Sequence, residues 1–349
     1  MKRFPFISVP FLAAAAFACA CSGADEDLSD MVAAREVTEH TINYSLGFPS
    51  TPTKGGGQVP TDSEKTINSL QVFVYDTSGK FEKVSSASID GDGMSASGSV
   101  QAVNGDKIIF ALANCGPVGN AGMLTLSGLR AKTIDLAGNS DGLVMTAQCS
   151  LSLTGDVNID LTLSRLVSRV SVTSLHRAFT DPYRGAKPFS VTGVYLANVA
   201  GSVTLGGPVE ASRQGVWYNR CSSHSDLSMD AFLFRQTDIP LAQGAEARTS
   251  LALYACPNDS AVPLVGLPWS ERASRLVVVA ELDGRRRFYP VDLPALEPNR
   301  SYSLALTFTS AGVEDPDRSQ GSEAPLEINL TADITVSDWD TGETVGETF

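Results

Sequence analysis

Three histidines and six cysteines are a thin supply of catalytic or metal-binding groups for a chain of 349 residues. His40 and His176 stand alone in the sequence, while His224 sits among Cys221, Ser222, Ser223, Ser225 and Asp226. A serine or cysteine nucleophile needs a base held by a third group and donors aimed at the developing oxyanion. The chain has no Gly-x-Ser-x-Gly elbow, no His-Glu-x-x-His and no phosphate loop ending in Gly-Lys-Ser/Thr. The His224 cluster therefore reads as a polar loop. Lys54-Gly55-Gly56-Gly57 is glycine-rich but lacks the lysine placement and following helix of a phosphate cradle, so it reads as a flexible loop. Asp90-Gly91-Asp92-Gly93 offers hard oxygen ligands in principle, yet two acids between glycines are the ordinary chemistry of a turn. No catalytic, cofactor-binding or metal residue is assigned, and the chain is not expected to be an enzyme.

The residues that do predict chemistry lie at the N-terminus. Lys2 and Arg3 precede an apolar run from Phe4 to Ala20 that is interrupted by Pro5 and Pro10. It is short for a membrane span, which needs ~20 apolar residues, and fits an export signal over residues 1–20. Ala18-Cys19-Ala20-Cys21-Ser22-Gly23 resembles the lipobox of bacterial lipoproteins, although Ala18 or Ala16 stands where Leu or Val is usual. Cys21 is the expected lipidation site, with Cys19 as the alternative, because Ser22-Gly23 and the acidic Asp25-Glu26-Asp27 follow Cys21 directly. The bland alternative is a soluble secreted protein cut near Ala20. Buried acyl chains contribute ~0.8 kcal/mol per CH₂, enough together to anchor the chain firmly. Beyond the signal remain Cys115, Cys149, Cys221 and Cys256. Export allows disulfides, four buried thiols serve equally well, and no Cys-x-x-Cys spacing suggests zinc.

The 26 Lys and Arg residues are outnumbered by 39 Asp and Glu, for a formal net charge of −13. With no basic stripe to offset this, nucleic acid is not an expected partner. Hydrophobic residues make up 43% of the chain, so sizeable cores are available, and 30 glycines with 18 prolines favour a turn-rich β protein. Residues 66–76 (TINSLQVFVYD) predict a strand covered on both faces, with Leu70, Val72 and Val74 on one side and Phe73 and Tyr75 on the other. KIIFALA at 107–113 repeats that character, and Val157, Ile159, Leu161 and Leu163 alternate with polar residues to give one buried face. One short helix is expected around Ser127–Leu136. Pro, Gly and charge accumulate over 179–188, where a domain boundary is placed. Further strands are expected over 191–198, 247–255, 275–282, 286–291 and 300–308. Asp283-Gly284 predicts a hairpin turn with positive φ at both positions, from which Arg285, Arg286 and Arg287 emerge as a solvated edge.

The two ends of the chain carry similar strands. Thr41–Phe48 places Ile42, Tyr44, Leu46 and Phe48 on one face. The Pro- and Gly-rich stretch 49–60 that follows is an exposed, protease-sensitive type of loop, with Lys54 as its one basic residue. At the other end Leu326, Ile328, Leu330, Ala332, Ile334 and Val336 share a face, until Asp338-Trp339-Asp340 breaks the phase. Both segments are expected to be able to complete one and the same sheet. Loss of the first would open a hydrophobic groove with unpaired backbone, and another molecule's tail could fill it by strand addition. Such a contact is head-to-tail and open-ended.

At this point a family resemblance becomes visible. SLQVFVYDTSGKF at 69–81, FALANCG at 110–116, LSRLVSRVSV at 163–172, VYLANVAG at 194–201, LYACPNDS at 253–260, the run from Arg275 to Gly312 and ITVSDWDTGETVGETF at 334–349 keep the order and spacing of one family. The chain resembles the fimbrillins, lipoprotein-precursor subunits of type V pili. The resemblance implies an all-β fold of two tandem transthyretin-like β-sandwich domains with a donor-strand segment at the C-terminus. Its implied divisions are a signal peptide at 1–20, a propeptide with the removable strand at 21–54, and domains at 55–180 and 181–349. It further implies delivery to the cell outer membrane, removal of the first strand by a trypsin-like protease, and donor-strand assembly into an extracellular fimbrium. Implied partners are copies of the chain or related fimbrial subunits, the outer membrane, the protease, and surface receptors of a host or another bacterium; no cofactor is implied. Carried over by position, the removable strand is Thr41–Phe48 and the donor Leu326–Phe349. Known members are cut after arginine in the following loop; here Lys54 is the expected site, and the alternative Arg35 precedes the strand and would not release it. A stalk subunit is expected first, a tip or anchor subunit second. The alternative outside the pilus class is a monomeric glycan-binding lipoprotein, but Trp217, Tyr218, Trp269 and Trp339 show no platform spacing and read as core.

Overall fold

β-Branched and aromatic side chains at alternate positions drive most of the regular structure among the described residues into strands, because they pack on a pleated half-buried surface better than on a helix. The computed structural model describes residues 37–49, 60–119, 123–139, 141–220, 230–260, 271–316, 330–341 and 343. Its first ten strands are β1 (Glu39–Gly47), β2 (Leu70–Asp76), β3 (Phe81–Ser86), β4 (Ser88–Ile89), β5 (Ala96–Val103), β6 (Gly105–Ala113), β7 (Thr133–Asp135), β8 (Met145–Leu153), β9 (Val157–Thr162) and β10 (Ser164–Arg165). Apart from β7, they form two sheets, ordered β4-β5-β1-β9 and β10-β8-β6-β2-β3. Ile42, Tyr44 and Leu46 of β1 meet Val72 and Val74 of β2 and Ile109 and Ala111 of β6 in the core between these sheets. The other face of β2 is covered as well: Phe73 and Tyr75 join Leu126, Leu129, Ile134 and Leu136 in a second, larger core. The two-sided pattern of residues 70–75 thus has its cause.

The later strands are β11 (Ser168–Arg177), β12 (Phe189–Ala197), β13 (Val199–Ala200), β14 (Ser202–Thr204), β15 (Trp217–Tyr218), β16 (Phe234–Pro240), β17 (Glu246–Ala255), β18 (Arg275–Leu282), β19 (Arg285–Asp292), β20 (Arg300–Phe308) and β21 (Leu330–Asp338). They form the sheets β17-β11-β20-β21 and β16-β12-β18-β19, and the small ribbons β13-β15 and β14-β7 complete the set. Val170, Val172, Val191, Val194, Leu276, Val278, Leu304 and Leu306 fill the larger core from both sheets. β18 and β19 join through Asp283 and Gly284 at φ +52° and +76°, the positive values the Asp-Gly pair predicts. None of the described helices is long and apolar enough to cross a membrane.

One glycine is fixed by its neighbour. Tyr44 lies opposite Gly98 in the β1–β5 ladder, and its hydroxyl donates to Ser85 Oγ at 3.0 Å. A Cβ on Gly98 would stand 2.5 Å from Tyr44 Oη and 2.8 Å from Cζ. Gly98→Val is therefore expected to cost about 1–3 kcal/mol through overpacking, read by urea denaturation. Adding Tyr44→Ala should remove most of that increment; an additive double variant would rule out this clash.

Several expectations are corrected. The expected helix at 127–136 is only Leu126–Arg130, capped by Thr125, whose Oγ1 accepts from Gly128 N; β7 and a 3-10 turn follow. The expected boundary at 180/181 falls between β11 and β12, both members of the later sheets, and β11 does not end the first half. The Pro- and Gly-rich stretch marks a crossing between two sheets, which demands the same turn residues as a domain junction. The changeover of sheets instead lies over 163–168 (LSRLVS), a stretch with no glycine or proline. Most consequential, the two terminal strands do not share a sheet: β1 lies inside the first set and β21 at the edge of the second. Alternation specifies a buried face but not which sheet buries it.

Candidate functional site

The site is the place that β1 occupies. On one side β1 pairs antiparallel with β5, from Glu39 opposite Val103 to Leu46 opposite Ala96. On the other it pairs parallel with β9, from Ile42 beside Val157 to Gly47 beside Thr162. Ile42, Tyr44 and Leu46 point inward at 0%, 3% and 2% exposure, and Phe48 packs half-buried just past the strand. Each such side chain contributes roughly 1.5–3 kcal/mol by leaving water. On the outer face Asn43 Nδ2 donates to Asn158 Oδ1 at 2.9 Å, and Ser45 Oγ donates to Asp160. Thr41 N donates to Asp156 Oδ1 at 2.8 Å, and an exposed Lys83–Glu39 ion pair at 2.9 Å closes the N-terminal end. The strand is thus held on both edges and one face, and its removal would leave two unpaired ladders over an apolar trough.

Among the described residues, β21 pairs along one edge. It runs antiparallel to β20, with Leu330 opposite Phe308, Ile334 opposite Leu304 and Val336 opposite Tyr302. Leu330 and Ile334 are buried, while Val336 is half-buried. Asp338 Oδ1 accepts from the backbone N–H of Asp340 and Thr341, ending the strand in a tight turn. That turn drives Trp339 inward to full burial, stacked on Tyr254 with centroids 5.9 Å apart.

The far ends of β1 and β21 meet at a residue that the sequence pattern did not single out. The Arg165 guanidinium lies 4.8 Å from the Phe48 ring centroid and 4.8 Å from that of Trp339. Its Nη1 pairs with Asp340 Oδ1 at 2.5 Å, both side chains being almost wholly buried. Its Nε donates to the Glu64 carbonyl at 2.9 Å. Asn299, held at φ +54°, accepts from Arg165 N through Oδ1 and donates through Nδ2 to Asp340 Oδ2 at 2.9 Å. Glu64 in turn accepts from the Tyr254 hydroxyl at 2.7 Å and faces Arg169 at 3.3 Å. Beside this acid, burial pushes the Tyr254 phenol well above its usual range. The sequence did hold a signal: an arginine within the apolar run 163–167 needs a buried anion, and Asp338-Trp339-Asp340 supplies one.

Among the proposed site residues, Ile42, Tyr44, Leu46 and Phe48 come together in the β1 slot, and Leu330, Ile334 and Val336 line up on β21, far from it in strand order. Cys19, Cys21, Arg35, Lys54, Leu326 and Ile328 lie outside the described residues, as do Cys221, His224 and Trp269. Cys115, Cys149 and Cys256 are free thiols, and burial pushes Cys256 up to about 12. Residues 90–93 form the turn between β4 and β5, with Gly93 N donating to Asp90 O. Among the described residues no cluster of acids, histidines and cysteines could hold a metal ion.

Solved structures share this β-sandwich architecture. The chain is similar to the fimbrilin of Porphyromonas gingivalis W83, at TM-score 0.57 and 12% identity, covering 88% of this chain and 99% of that one. It is similar in the same way to the tip fimbrial protein Mfa3 of Porphyromonas gingivalis with C-terminal truncation (TM-score 0.53, 13% identity, 86% and 100% covered). A third similar structure is a Bacteroides eggerthii protein provisionally named for cell adhesion (0.60, 17%, 86% and 96%). Residues 42–160 match the family described as the major fimbrial subunit protein (FimA). The match opens on the first buried residue of β1 and closes within β9, so it takes in most of the slot but not Glu39–Thr41 or the last two residues of β9. No curated protein sequence matches the chain.

Proposed function

We propose that the chain is a structural subunit of a surface fimbria, supporting adhesion and assembled by donor-strand exchange. In this reading it is exported, lipidated at Cys21 (or Cys19) and anchored in the outer membrane as a precursor. A trypsin-like protease then cuts after Lys54, releasing β1, and the tail of a neighbouring copy or related subunit occupies the vacated slot. The observation that carries this reading is the placement of β1. It is the first strand of the described chain, is paired on both edges, and continues to the rest only through the segment that contains Lys54. One cut there leaves the strand held by noncovalent contacts alone. The alternating β21, paired along a single edge, is the natural donor, and donation requires it first to leave β20.

A second reading, an accessory tip or anchor subunit, draws on the same tail. Nine paired residues and a fully buried Trp339 suit a chain that keeps its tail at home. A glycan-binding monomer has less support, since Trp217 and Trp339 are both core residues.

Treatment of the purified precursor with a trypsin-like protease is expected to give a product whose N-terminus begins after Lys54 and which forms ladders on unboiled gels. Deleting residues 326–349 should abolish the ladders, with retention of the β signature checked by circular dichroism. Ladders that persist without the tail would exclude it as donor, and a precursor that resists cutting would favour the anchor.

A further inference from the structure

We infer that Arg165 is the positioning residue that couples the leading strand to the tail, so that β21 is held at home only while Phe48 is in place. The inference rests on the strand-exchange reading for its purpose, but its geometry stands in the uncut chain. Arg165 is fully buried, and its guanidinium is enclosed by two rings from opposite ends of the sequence, Phe48 and Trp339, each 4.8 Å from its centre. The two elements belong to different sheets and share no ladder.

What holds the cation differs in kind on its several sides. Glu64 lies downstream of Lys54, so its carbonyl stays with the body of the chain after cleavage, as does Asn299. Asp340 and Trp339 belong to the tail. Phe48 belongs to the segment that cleavage releases. Loss of β1 therefore removes one wall of the enclosure and admits water to the guanidinium, while the body-side contacts remain. A hydrated arginine has less need of Asp340, because a buried ion pair is strong only while the alternative is an unpaired charge in a dry site. A cation over an aromatic face likewise gains most when desolvated. The strand of the tail is thereby loosened at its C-terminal turn, the point where Asp338, Trp339 and Asp340 pin it. An uncut subunit keeps its tail sheathed, and a cut one offers it.

The test uses hydrogen exchange of the tail amides in the full, uncut chain, so it does not depend on cleavage or on polymerisation. Phe48→Ala is expected to speed exchange over residues 331–338 about 3- to 10-fold, the range one partly desolvated cation–ring contact supports. Ile42→Ala lies on the same strand but does not touch Arg165; it should speed exchange within β1 and its neighbours and leave the tail unchanged. Arg165→Lys, which keeps the charge but not the planar cation between the rings, should loosen the tail as Phe48→Ala does, with the thermal transition retained. Equal tail exchange in Phe48→Ala and the parent, or an equal rise in Phe48→Ala and Ile42→Ala, would overturn the coupling. Ladder formation by cut protein is scored separately. Absent ladders together with a Phe48-specific effect would sink strand exchange and leave the coupling standing.

Discussion

Trp339→Ala is expected to lower the stability of the full chain by about 3–5 kcal/mol, as for other fully buried tryptophans. The indole is completely enclosed, stacked on Tyr254 and lying under the Arg165 guanidinium. Its removal leaves a large void that strands already paired on their neighbours cannot close by small shifts, and it strips one face from a buried cation. Trp339→Phe fills part of the space and should lose less. Guanidinium denaturation monitored by circular dichroism gives the measurement, with exposed Tyr183→Ala as the reference. A loss no larger than that of the reference would mean that the tail is not packed as described.

Asp340→Ala should be of similar size, about 3–5 kcal/mol, for an electrostatic reason rather than a volumetric one. Asp340 contacts Arg165 at 2.5 Å with both side chains nearly inaccessible, and its second oxygen accepts from Asn299. Truncating it strands a guanidinium in a dry site, which is the costly half of any buried pair. Replacing both partners with apolar residues, as in Arg165→Met with Asp340→Leu, should restore much of the loss, since well-packed apolar groups often match a buried pair. Because the pair is shielded from solvent, added salt should move the Asp340→Ala difference little. Additive single and double variants in the thermodynamic cycle would show that the two residues do not act as a unit.

Much of this architecture could be read from residue pattern alone, and particular elements show why. Ile42, Tyr44 and Leu46 face the core as their spacing requires, and Phe73 and Tyr75 opposite Val72 and Val74 correctly predict a strand covered on both sides. The Asp283-Gly284 turn follows from the backbone angles the hairpin needs. What escaped is long-range. Leu330, Ile334 and Val336 show their alternation plainly, but nothing in it says that Phe308, Leu304 and Tyr302 lie opposite. The breaker residues of 179–188 drew a boundary to a crossing between sheets, while the real changeover at 163–168 carries no breaker at all. Arg165 was hidden in the same way. Its partners Phe48, Glu64, Asn299 and Asp340 are scattered along the chain, and only folding brings them to one point.

The unlike neighbours of β1 have a directional consequence. An antiparallel partner presents alternating close and wide rungs, whereas a parallel one presents evenly spaced, slanted rungs. With the first pattern on the β5 side and the second on the β9 side, a segment that enters in the heading of β1 reproduces both, whereas a reversed one exchanges them, pairing parallel with β5 and antiparallel with β9. In the strand-exchange reading, the heading of β1 gives the vacated slot a front and a back. A filament built in that way would carry an arrow: every joint would point the same way, and its two extremities would differ, one with an empty slot and the other with an undonated tail.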